Sequence, residues 1–262
     1  MTTEPTSLQV RADWLPRAII SGFIAAIAML FTFMLAYGLA YLAAQLPPPA
    51  SQSAESMRSW FTIRAWFYGL THNSLTDLAG SNLYAVAGLH FVVAIAWAAL
   101  YGCWAEQRLS GPGWLRGMIF SLLPAIISIL ALLPLGGGGF LGWGLGAGPF
   151  PIFGNLILHL AYGAALGAVY GPLGDVPADY SPGGAADDLA TTRRSEVPIA
   201  QGIVAGLVVG LLLSVGVSAL LHAAPGTPIL DVPQAAFVLG ATVVGGAFGG
   251  FLGSFAGLAG QA

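Results

Sequence analysis

Six apolar stretches dominate this chain, each about as long as the ~20 residues a helix needs to cross the hydrocarbon core of a bilayer. They fall at about 18–44, 82–105, 115–135, 151–171, 199–221 and 232–258, and only Arg116 brings a formal charge into any of them. Hydrocarbon gives backbone amides no partner, so each run must satisfy its own, as an α-helix does. The expectation is an all-α integral membrane protein of about six transmembrane helices. They form a single polytopic domain over residues 18–262, behind a cytoplasmic tail at 1–17.

Composition supports the same reading. Charged residues make up 7% of the chain, against roughly 25% in a soluble domain. Too few charges remain to coat a water-facing surface, so lipid must be the main solvent. The net charge of −3 points to no nucleic-acid partner, and all eight basic residues are Arg. The single Cys103 excludes an intramolecular disulfide and any multi-thiolate metal site. The apolar run after Arg17 is longer than the ~7–15 residues of a signal-peptide core, so it is expected to stay in the membrane.

Orientation follows from the arginines. Six spans put both ends on one side, and Arg11, Arg17, Arg108, Arg116, Arg193 and Arg194 lie in that side's segments. The opposite loops hold only Arg58 and Arg64. The positive-inside rule then places both termini in the cytoplasm and the chain in the plasma (inner) membrane.

Three connecting segments have characters of their own. Within the loop at 50–80, Glu55–Leu70 can be drawn as a short interfacial helix. Glu55, Arg58, Ser59, Thr62 and Gly69 take one face, and Met57, Trp60, Phe61, Phe67, Tyr68 and Leu70 the other. Arg64 falls on the apolar face, where it either snorkels to lipid phosphate or contacts an anion or partner. Residues 136–154 are glycine-rich, aromatic and uncharged, so they must dip into the membrane or lie against other helices. Residues 172–198 hold Asp175, Asp179, Asp187, Asp188 and Glu196 among Pro, Gly and Ala, and read as a flexible cytoplasmic linker.

Taken in pairs, the spans resemble three hairpin repeats. The second span reads LHFVVAIAWAALYG and the fourth LHLAYGAALGAVYG. His90 thus matches His159, Ala94 matches Gly163, Ala98 matches Gly167, and Tyr101-Gly102 match Tyr170-Gly171. The last span keeps only the small positions, such as Gly246 and Gly250. Pro16-Arg17, Leu115-Arg116 and Arg193-Arg194 begin the first helix of each pair. A parallel threefold arrangement about the membrane normal follows.

Helical spacing sets Asn155, His159, Gly163, Gly167 and Tyr170 on one stripe, and His90, Ala94, Ala98 and Tyr101 on another. A neutral imidazole beside small residues suits an axial ligand to haem or a chlorophyll-type tetrapyrrole. The plainer reading is that His90 and His159 each hydrogen-bond a neighbouring helix. Gly202, Gly206, Gly210, Ser214, Ser218 and His222 recur every four residues, answered by Gly246, Gly250, Gly249, Gly253 and Gly257. Such small-xxx-small ridges let helix backbones approach closely, against each other or a partner subunit.

Catalytic patterns are missing. Neither HExxH nor GxSxG occurs, and the glycines at 136–139 lack the Lys-Ser/Thr of a phosphate loop. His72 and Asp77 alone make a weak metal pair. No acidic residue lies within an expected span, so a proton-coupled transporter lacks its usual carboxylate. The expected role is a non-catalytic accessory subunit of a larger respiratory or photosynthetic membrane complex, with other membrane subunits as partners. The alternatives are a channel or carrier for a small neutral solute, or a pigment-binding protein.

Overall fold

The computed structural model describes residues 14–48, 53–171, 184–223 and 234–259, with the backbone alone over 184–195, 218–223, 234–236 and 258–259. Helices α1 (Trp14–Gln45), α2 (Ala54–Thr71), α3 (Ser74–Ser81) and α4 (Leu83–Leu100) come first. The π-helical turn Tyr101–Ala105 prolongs α4. Next is α5 (Gly113–Ile127), prolonged by a π-helical turn at Ser128–Leu132 and by Leu133–Leu135. Then come α6 (Phe150–Tyr170), α7 (Gly184–Ala223) and α8 (Gln234–Ala259), and no strand occurs among the described residues.

Six of these helices are long and apolar enough to cross a membrane: α1, α4, α5 and α6, Glu196–Val217 of α7, and Phe237–Gly257 of α8. Their outward residues are large and apolar, as a lipid solvent requires, with Phe31 69% and Leu212 64% exposed. The chain is a polytopic helical membrane protein.

Helix ends follow local chemistry. α1 starts with Pro16 in its first turn, where a missing N–H is harmless, and stops before Pro47 and Pro48. Asn73 opens α3 with a capping box: its side chain accepts from the Leu75 and Thr76 amides, and Thr76 Oγ1 accepts from the Asn73 amide. α5 contains Pro124, one turn before its π-helical segment.

Packing centres on α1, which touches α4, α6, α7 and α2. The shared core alternates small and aromatic side chains: Ala18, Phe23, Ala25 and Ala26 from α1, with Phe91, Ala94, Ala98, Tyr101, Phe120, Tyr162 and Tyr170 around them. α5 packs along α6, and α7 along α8.

Two features differ from the sequence expectation. Residues 184–198, assigned to a flexible linker, are helical, since α7 begins at Gly184. Glu196 is therefore within a helix and 3% exposed. In addition, α2 does more than skirt α1. Arg64 Nε donates to the Ala44 carbonyl (2.7 Å), while Tyr37 Oη donates to the Thr71 carbonyl (3.4 Å), so the two chains run past each other in opposite directions. The Arg64 guanidinium also stands 5.3 Å from the Trp60 ring centre. A helix C-terminal carbonyl and an indole face thus occupy the cation read as a lipid or anion contact.

The glycine-rich segment after α5 lies against α2 and α3. Gly148 holds φ +55° with the Trp66 indole where a Cβ would stand, and Gly146 holds φ +66° with its backbone against Gly69. Gly148 combines a left-handed backbone with a close approach; at Gly146 the left-handed backbone is the restriction, and the close approach falls on Gly69. Ser74 Oγ donates to the Gly137 carbonyl (3.2 Å), and Phe150 packs on Trp66 and Phe67. Leu135, Phe140 and Trp143 remain 83%, 66% and 75% exposed. Arg11, Asp175 and Asp179 lie outside the described residues, as do the side chains of Asp187, Asp188, Arg193, Arg194, Ser218 and His222.

Candidate functional site

Three polar levels run through the bundle. The middle one holds the histidines. His90 Nε2 lies 3.1 Å from the Ala26 carbonyl of α1. A carbonyl only accepts, so Nε2 carries the proton and is closed to a metal. His90 thereby ties α4 to α1. His159 differs, because its Nδ1 donates to the Asn155 carbonyl of its own helix (2.9 Å). That proton placement leaves the Nε2 lone pair unprotonated, and Nε2 makes no hydrogen bond among the described residues. Tyr162, one turn on, donates from Oη to the Ala94 carbonyl at 2.6 Å. The sequence pattern gave no sign of this pair, since its acceptor is main chain.

Asn155, Gly163 and Gly167 of the α6 stripe face α5. Gly163 opposes Gly117 and Gly167 opposes Gly113, each so closely that a Cβ would overlap the opposite carbonyl oxygen. Further along, Asn155 Nδ2 donates to Ser128 Oγ (2.6 Å). The same construction recurs between α7 and α8. Gly202 opposes Gly249, Gly206 opposes Gly245, Gly210 opposes Ala241, and Gly253 opposes Pro198. Gly246 and Gly250 sit on the neighbouring row. They receive the Phe23 ring and the Ile203 side chain, not the α7 backbone.

At the arginine-bearing end, charges are clamped in pairs. Arg17 Nε meets Glu196 Oε2 at 3.3 Å, joining α1 to α7, and Arg116 meets Glu106 Oε1 at 2.7 Å, joining α5 to the end of α4. These side chains are at most 20% exposed. Between them the two Tyr-Gly pairs meet: the Tyr101 and Tyr170 rings stand edge to face at 5.4 Å, and Tyr170 fills the space a Gly102 side chain would take. The π-helical turn sets Tyr101 inward, 0% exposed. Glu106 lies five residues past Tyr101, the spacing that separates Asp175 from Tyr170. That recurrence is a sequence signal from which Glu106, the partner of Arg116, could have been picked out.

At the other end lies a pocket of about 310 Å³ between α1, α3, α6 and the end of α5. Phe33, Tyr37, Leu133, Leu145, Phe150 and Leu158 form most of its wall. His72, nearby, stacks on Tyr68 at 4.1 Å and bonds Thr71 Oγ1 (2.9 Å). Among the described residues no three potential metal ligands gather anywhere.

No family model, curated protein or solved structure matches the chain.

Proposed function

We propose that the chain is a non-catalytic accessory subunit of a larger membrane complex of the respiratory or photosynthetic kind, set in the plasma (inner) membrane with both termini in the cytoplasm. One observation carries this reading. Four polar side chains of the bundle are bonded from helix to helix: His90 to Ala26, Tyr162 to Ala94, Asn155 to Ser128, and Arg17 to Glu196. Groups engaged in this way hold a scaffold together, and they are not poised to react or to line a water-filled path. The three-hairpin repeat belongs to the same proposal. The α5–α6 and α7–α8 seams, and Gly22 of α1 against Ala94 and Ala98 of α4, all use small residues at antiparallel contacts.

The test is purification from native membranes in a mild detergent, followed by native-gel separation and mass spectrometry. A stoichiometric partner chain is expected. A protein that runs alone at full recovery overturns the assignment.

A second reading rests on His159. Its Nδ1 is held by a backbone carbonyl and its Nε2 lone pair is left over, which is the proton arrangement of a metal-binding imidazole. A tetrapyrrole there predicts a Soret or pigment band in protein from native membranes, lost in His159→Ala and kept in His90→Gln. Colourless protein from such membranes rejects it.

A further inference from the structure

We propose that two copies of the chain pair through the outer half of α1, along a face formed by Leu35, Leu39, Leu42 and Leu46. These leucines fall four, three and four residues apart, the a/d spacing of a coiled coil. At about 100° per residue they occupy an arc of roughly 60°, and all four are more than half exposed. Ala40 and Ala44 are buried on the other side of the helix, toward the pocket and α2.

Depth separates this face from an ordinary lipid-facing surface. α1 has 32 residues, whereas the other five described spans have 21 to 23. The surplus is about 15 Å at ~1.5 Å per residue. It falls at the outer end, because Arg17 in the first turn pairs with Glu196, where the span of α7 begins. α6 starts at Phe150, level with Tyr37 and Ala40, with which it lines the pocket. Leu42 and Leu46 stand beyond that level, beside Ala44, whose carbonyl receives the Arg64 guanidinium. Hydrocarbon does not reach a leucine there. An apolar side chain left to headgroups and water is unfavourable in proportion to its area, and protein cover removes that penalty.

The make-up of the face selects a like copy. Positions e and g of the same heptads are Ala36, Gly38, Ala43 and Gln45. Charges there choose between partners, and equal charges would drive identical helices apart; here there are none. A Cβ on Gly38 meets nothing within 4 Å, so a second helix has room to approach. Two copies in one membrane share an orientation. Their α1 helices therefore meet parallel, about an axis along the membrane normal, and each leucine faces its counterpart. Phe31 and Met34 extend the face inward. Its exposed area is then roughly 700 Å² per copy, at about 200 Å² for a large side chain. The pair buries up to about 1,400 Å², within the ~1,200–2,000 Å² of stable interfaces.

The experiment places single cysteines in a Cys103→Ser chain and oxidises them in native membranes. Leu39→Cys and Leu42→Cys are expected to give disulfide-linked dimers of this chain, because facing a and d residues lie within the ~7 Å between Cα atoms that a disulfide spans. Tyr41→Cys is the control, exposed at the same depth but about 100° or more around the helix from either leucine. It should remain monomeric. Adding Leu46→Glu to Leu42→Cys should cut the crosslink about tenfold by setting like charges face to face, whereas adding Tyr41→Glu should leave it unchanged. Leu39→Cys and Leu42→Cys chains that stay monomeric overturn the proposal. So do crosslinks to a different chain, equal yields at all three positions, or a crosslink that Leu46→Glu does not weaken. A chain that purifies without an unlike partner would end the accessory-subunit reading and leave these disulfides intact, so the two tests fail independently.

Discussion

The Tyr162 hydroxyl donates a 2.6 Å hydrogen bond to the main-chain carbonyl of Ala94, so α6 holds α4 by its backbone. Ala94 also faces Gly22 of α1, which makes this contact a junction of three helices. Tyr162→Phe keeps the ring and removes only the hydrogen bond. Interhelical bonds in membranes average about 0.6 kcal/mol and reach about 1.7. A loss in the upper part of that range is expected by reversible unfolding in mixed micelles, because the pair is fully buried.

The glycine seams separate two kinds of helical glycine. Alanine at Gly117, Gly163, Gly206 or Gly245 drives a methyl into the opposite carbonyl, and the pair must part. Overpacking of this kind costs about 1–3 kcal/mol. Alanine at Gly38 or Gly240 meets nothing. It should be neutral or stabilise by up to about 1 kcal/mol through helix propensity. Thermal stability of the six single variants in one detergent would rank them, and equal losses at both classes would refute the seam geometry.

Arg17 and Glu196 should behave as a unit. Glu196→Gln takes from the buried Arg17 guanidinium its carboxylate partner, a loss of about 3–5 kcal/mol. Glu196→Gln alone is therefore expected to destabilise more than Glu196→Gln combined with Arg17→Gln. A double variant whose loss equals the sum of the two single losses would show that the pair contributes no coupling.

Cys103 offers a topology reporter without any engineering. It is the sole cysteine, exposed, and near the arginine-bearing end of the second span. A membrane-impermeant maleimide should label it in inverted vesicles and spare it in intact cells. The reverse pattern would turn the molecule over.

The sequence made much of the architecture readable because lipid imposes length and polarity on every span. With the turns that prolong α4 and α5 counted, the ends of α4, α5 and α6 fall within two residues of the positions the apolar runs suggest. What it left open has physical causes. On α8 two rows of glycine lie side by side, a single residue apart and about 100° around the helix. Gly246 and Gly250 look as suited to a seam as Gly245 and Gly249, and only the partner helix distinguishes them. Glu196 sits among acidic, proline-containing sequence, so its burial could not be read before α7 was known to start at Gly184. Tyr162 bonds to a main-chain oxygen, which every residue offers alike. The two histidines share a motif yet differ in which nitrogen is engaged, a matter of side-chain rotation that the pattern does not encode.

The central place of α1 has a consequence for biogenesis. This helix emerges before the other five spans, yet α6, against which it packs extensively, lies roughly a hundred residues downstream. At about 5–20 residues per second, translation needs on the order of ten seconds to supply it. Through that interval the face of α1 that α6 will cover is open to lipid or to whatever insertion factor stands beside it. Ribosomes stalled after α5 should therefore yield nascent chains whose α1 crosslinks to the insertion machinery, and release of that crosslink should coincide with the synthesis of α6.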